Sequence, residues 1–88
     1  MAAEIDQMTQ YDWFSRARIH ETNGDDDKAI EAYEEAIKID PEFAKAWFYK
    51  AKIHYKRGEK EQAKECIEHT LRLEPDWEKY VKRYMPDL

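Results

Sequence analysis

Glycine is almost missing from this chain, with two in 88 residues, and proline occurs three times. So few breakers exclude a sandwich or barrel built on many tight turns and leave room for helices. Cysteine occurs once, at Cys66, so no internal disulfide can form and a reducing compartment is the natural setting. No apolar run approaches the ~20 residues that span a bilayer, and residues 1–9 hold neither a basic n-region nor an apolar h-region. Basic charge is not in excess either. Against 20 Asp and Glu stand 15 Lys and Arg, and the net −5 argues against general nucleic-acid binding. These deficits lead us to expect a soluble, cytoplasmic protein that engages neither membrane nor nucleic acid.

What the chain does have is charge, at 40%, and aromatic residues, at 14%. The first suits solvated helices; the second is too high for a disordered chain, which lacks groups to fill a core. At 10.7 kDa this is one small domain. A chain of this size buries only about 60–65% of its unfolded surface, so its core has little in reserve.

The strongest signal is internal. At an offset of 34 residues, without a gap, Trp13 meets Trp47, Phe14 meets Phe48, Ala17 meets Ala51, Ile19 meets Ile53 and His20 meets His54. Gly24/Gly58, Ala29/Ala63, Glu31/Glu65, Glu34/Glu68 and Pro41/Pro75 continue the register. Each unit reads as two helices. Thr9 with Asp12 resembles a capping box, and Gly24 can take the left-handed conformation that ends a helix. Asp25, Asp26 and Asp27 then suit the positive end of the next helix, which carries Ala29, Ile30, Tyr33, Ala36 and Ile37 as one apolar stripe. Asp40 and Pro41 are expected to start the following helix, to run to about Arg57 before Gly58; a fourth helix runs from about Glu59 to Leu73. Trp13/Ala17/His20 and Trp47/Ala51/His54 form the packed stripes of the first helices, and Ala17 or Ala63 enlarged to Leu would overpack a crossing by roughly 1–3 kcal/mol.

After Pro75, the residues Trp77, Tyr80, Val81 and Tyr84 recur at helical spacing before Pro86 stops the chain's last helix. We expect this helix to cap the open apolar flank over Ile67 and Leu71. The fold class is therefore all-α: antiparallel helix–turn–helix repeats and a closing helix, about five helices in all. The expected divisions are a partly ordered N-terminal extension over 1–9, repeats over 10–43 and 44–77, and a capping helix and tail over 78–88.

This combination of period, Trp, small residue four later, turn Gly, early Ala in the second helix and closing Pro resembles the tetratricopeptide repeat over residues 10–77, with 78–85 similar to the start of a third unit. The resemblance implies a right-handed superhelical stack whose first helices line a concave face, and a protein that binds other proteins. Both units depart from the family pattern at Arg16 and Lys50, where an apolar residue is usual. The bulky Ile19 and Ile53 are expected to supply the volume while the bases reach outward.

On such a concave face would lie Tyr11, Phe14, Ser15, Arg18 and Thr22, then Lys45, Phe48, Tyr49, Lys52, Tyr55 and Lys56, and finally Lys79, Lys82 and Arg83. That surface is aromatic and basic, whereas residues 25–42 hold eight acids against Lys28 and Lys38. The candidate peptide-binding residues are Tyr11, Phe14, Arg18, Lys45, Phe48, Tyr49, Lys52, Tyr55, Lys79 and Arg83, for an acidic partner segment steered by charge and held by ring contact. The family's chaperone-binding carboxylate clamp is only partly present: Lys79 and Arg83 fit its third helix, but Phe14, Arg18 and Tyr49 do not fit the first two. The alternative function is structural, with repeat flanks stacking between copies. A monomer is expected, with a weak homodimer as the other outcome.

Catalysis is not expected, nor any cofactor or metal. His20 and His54 recur without the three or four ligands a metal needs, and read as core-edge imidazoles in place of the family's usual aromatic. Asp25-Asp26-Asp27 lacks the alternation and distal Glu of a calcium loop. Cys66 beside Ile67 reads as a small core residue. The carboxylates sit on solvated helices, where nothing would raise a pKa for acid catalysis.

Overall fold

The computed structural model describes residues 7–88, so most of the expected N-terminal extension lies outside the described residues. Those residues form helices α1 (Gln10–Thr22), α2 (Asp26–Ile39), α3 (Ala44–Lys56), α4 (Lys60–Leu73) and α5 (Glu78–Tyr84), with a 3₁₀ turn at Pro75–Trp77 and no strand. The expected all-α class is the observed one. The chain divides into two compact units, Met1–Phe43 and Ala44–Leu88. In the first, α1 packs along α2; in the second, α3 packs along α4, and the 3₁₀ turn joins α4 to α5.

Local chemistry sets the helix ends. Thr9 accepts from the Asp12 amide at 3.2 Å while the Asp12 carboxylate accepts from the Thr9 amide at 2.9 Å, a reciprocal capping box. Gly24 and Gly58 adopt φ of 79° and 78°. Each closes a Schellman turn: Asp25 N–H donates to the His20 carbonyl and Glu59 N–H to the His54 carbonyl, both at 2.8 Å. The two turns are then finished differently. Asp25 caps α2 by accepting from the Lys28 amide at 3.4 Å. Glu59 does not cap α4, because its carboxylate turns to His54 Nδ1 at 2.7 Å and Arg57 at 3.5 Å.

One boundary differs from the sequence reading. α3 begins at Ala44, not Pro41. Asp40 is the C-cap of α2, and its carboxylate and carbonyl accept from the Glu42 and Phe43 amides at 3.1 and 3.0 Å. Those bonds close a turn over Pro41 and Glu42, so the aspartate serves the turn and not a helix start.

Small residues fill both cores. Ala17, Ala29 and Ala36 are fully buried in the first unit with Tyr33, and Ala51 and Ala63 in the second with Thr70. Thr70 stands at the Ala36 position and satisfies its hydroxyl on the Cys66 carbonyl at 2.9 Å. Cys66 is buried where the first unit has the equally buried Ala32. Ile30 and Ile37, expected in the α2 stripe, are only half-buried.

The closing segment packs onto the second unit through Val81 and Trp77, as expected, but with Met85 in place of the two tyrosines. Val81 and Met85 join Phe48, Ala51, Cys66 and Ile67 in one core cluster, with Leu71 and Trp77 packed against it. Tyr80 and Tyr84 remain 40% and 50% exposed. Trp77, Val81 and Met85 stand four residues apart and so share one side of the closing segment, which brings Met85, not the tyrosines, to the core.

Candidate functional site

An open groove of about 340 Å³ lies in the second unit. α3 supplies Lys45, Phe48, Tyr49 and Lys52, which follow one face at helical spacing; Trp77, Tyr80 and Tyr84 come from the closing segment. Phe48 is the floor, edge-on to Tyr49, Trp77 and Tyr84 at centroid distances of 6.1, 6.1 and 6.2 Å. Its burial fixes the wall positions, because the same ring belongs to the core cluster beneath.

Lys52 is the electrostatic centre. Its ammonium lies 4.5 Å from the Tyr49 ring centroid, 4.8 Å from Tyr84 and 5.7 Å from Phe48. Those quadrupoles hold the cation in place without neutralising it. Lys45 lies two turns away on α3, and no carboxylate lines the groove. Among the described residues neither lysine has an ion-pair partner.

Four of the ten candidate residues therefore meet in one place: Lys45, Phe48, Tyr49 and Lys52. Tyr55 packs against the core cluster of the second unit. On α5, the Lys79 ammonium lies 5.2 Å from the Tyr80 ring and Arg83 is exposed. Tyr11, Phe14 and Arg18 belong to the first unit. There Phe43 takes Tyr11 and Phe14 against its ring at 5.4 and 5.3 Å. Arg18 donates to Glu21 at 3.1 Å, and the buried Tyr33 hydroxyl donates to the same Glu21 oxygen at 2.7 Å. Burial first, and then that bond to a carboxylate, push the Tyr33 pKa far above the phenol range. Burial works to lower the Arg18 pKa, but Tyr33 and Glu21 together raise it.

Three groove residues, Trp77, Tyr80 and Tyr84, are not among the candidates, because the sequence pattern places them in the closing helix. The signal that could have found two of them is the run of rings one turn apart, too many to bury under one short helix. His69, which no sequence pattern singles out, stacks on Trp47 at 4.0 Å and 13°. Arg16 and Lys50, the departures from the family pattern, lie over Trp13 and Trp47 at 5.5 and 5.8 Å. Each cation lies on the face of a ring one turn back on its own helix. Among the described residues, no three His, Cys, Asp or Glu side chains gather to hold a metal, and no helix is long and apolar enough to cross a membrane.

A family model for the TPR repeat matches residues 22–58, and one for the tetratricopeptide repeat matches residues 44–77. Together they span well over half of the chain, and the repeat register, turn glycines and helix pairs agree with them. The chain belongs to the tetratricopeptide repeat family. Repeats of this family generally mediate protein–protein interaction or scaffolding. No curated protein matches the chain.

Proposed function

We propose that the protein is an adaptor that binds a short acidic segment of a partner protein on the aromatic, basic surface of α3 and α5. The observation that carries this reading is Lys52, a cation held against three rings and facing no carboxylate. An acidic side chain laid there gains an ion pair on a partly dry surface, while Tyr49, Tyr80 and Tyr84 supply contact area. The groove is short, so affinity is micromolar or weaker. Lys79 and Arg83 extend the positive field along α5 and steer the encounter. The single Cys66, which is buried, favours a reducing, cytoplasmic setting.

The test is an NMR titration with a peptide rich in Asp and Glu. Shifts are expected at Phe48, Tyr49, Lys52, Lys79 and Arg83, fading as salt rises. Shifts confined to the acidic helix α2 and to α4 would refute the reading.

One observation favours a second role, assembly through repeat flanks. Ile19 is 62% exposed although its counterpart Ile53 is 1% exposed, so α1 presents apolar area at a position the repeat buries elsewhere. Sedimentation in which the mass rises with concentration, and in which Ile19→Lys abolishes the rise, would establish it.

A further inference from the structure

Both walls of the groove are helical, and the spacing of its charges is informative. Along α3 the lining residues fall at i, i+3, i+4 and i+7, with a lysine at each end and Phe48 and Tyr49 between them. Seven residues at 1.5 Å each separate the two lysine backbones by about 10.5 Å. Tyr80 and Tyr84, one turn apart on α5, form the facing wall.

We propose, building on the acidic-segment reading, that the segment binds as an amphipathic helix. Its acidic residues stand at i and i+7, and large apolar residues stand at i+3 and i+4 between them. Such a helix repeats the rise of α3, so one carboxylate meets Lys45 and the other Lys52 while the apolar pair enters between the tyrosines. An extended strand presents same-face residues about 6.6 or 13 Å apart, which matches neither the lysine spacing nor the placing of an anchor midway. Size points the same way. At about 340 Å³ the groove is near the small end of ligand pockets, roughly 300–1,000 Å³. It takes side chains and leaves the ligand backbone above the rim, where a helix satisfies its own N–H and C=O groups.

The probe is a synthetic peptide of roughly 14 residues, too short to hold a helix alone in water, with Glu at i and i+7 and Leu at i+3 and i+4. Mixed with the whole chain, it is expected to gain helical circular dichroism beyond the sum of the parts and to shift Phe48, Tyr49, Tyr80 and Tyr84. Moving the second Glu to i+5 should weaken binding about three- to fivefold, the size of one partly exposed ion pair. Lys45→Glu should cause a similar loss, recovered by a peptide carrying Lys in place of the facing Glu. Lys45 is exposed and lies outside the core cluster, so this variant is expected to keep its fold, checked by an unchanged Tm. Two results would overturn the helical mode while leaving the acidic reading intact: equal binding by a peptide with Pro between the two Leu, or equal binding by an acidic peptide without Leu. Groove residues left unshifted by every acidic peptide would overturn both.

Discussion

The two repeat units have the same backbone plan and put it to different uses. Position by position, Phe14 with Phe43 corresponds to Phe48 with Trp77, and both ring pairs are in contact, at 5.3 and 6.1 Å. Around them the units diverge. In the first, Tyr11 lies edge-on to Phe43, and Arg18 is bonded to Glu21 beside the Tyr33 hydroxyl. In the second, the same three polar positions hold Lys45, Lys52 and Tyr55, so the cation loses its carboxylate and gains rings. α1 buries only Ala17 fully, whereas α3 buries Ala44, Ala46, Phe48, Ala51 and Ile53. A duplicated scaffold thus carries a neutralised, locked surface in one copy and an open, charged one in the other. Three or four side chains make the difference.

Removing the closing segment breaks the comparison most severely. Truncation after Pro75 strips Val81 and Met85 from the second core, at about 1.5–3 kcal/mol each. Domains of this kind have only about 5–15 kcal/mol in total. The truncated chain is expected to unfold or associate; a monomer with unchanged Tm would refute this.

The isoleucine pair comes next. Ile53→Ala should cost about 2–5 kcal/mol and Ile19→Ala less than about 0.5, read as midpoints in urea. Equal costs would mean that the two positions share one environment, against their exposures of 1% and 62%.

Enlarging the small residues tests the sameness instead of the difference. Ala17 and Ala51 are both fully buried, so Ala17→Leu and Ala51→Leu should each destabilise by roughly 1–3 kcal/mol. Tolerance of one alone would break the register between the units.

The smallest effect is a pH dependence confined to the first unit, because Ile67 replaces Tyr33 in the second. Tyr33 is held protonated in the folded state by burial and by Glu21, so its folded pKa is raised. The contribution is fully present below the unfolded phenol pKa of about 10 and declines as pH rises beyond it, at up to about 1.4 kcal/mol per pH unit. Tyr33→Phe should lose about 0.5–1.5 kcal/mol at neutral pH. It should also show a shallower alkaline loss than the parent in paired denaturation curves. Parallel curves would show that Tyr33 titrates in the folded state as it does in the unfolded chain.

Much of this was legible in the chain. The 34-residue register, the Thr9–Asp12 box, the glycine turns and the small core residues follow from rules that act within a few residues. A carboxylate three residues from a threonine, or a glycine where φ must be positive, needs no knowledge of the rest of the fold. The candidate site was legible along α3, because spacing on one helix dictates which side chains share a face.

Tertiary structure alone decided what those faces meet. Sequence periodicity grouped Tyr80, Val81 and Tyr84, yet only the packing against α3 and α4 put Val81 and Met85 in the core and left the tyrosines as a wall. Arg18 and Lys52 occupy one repeat position with Glu21, and Phe48 and Tyr49, as neighbours on their own helices, but only folding brought Tyr33 to the first and Tyr84 to the second. The physical reason is range. Caps, turns, helical faces and pairs one turn apart are set by neighbours in the chain, whereas burial and the rings that reach a side chain from another helix depend on groups far apart in sequence.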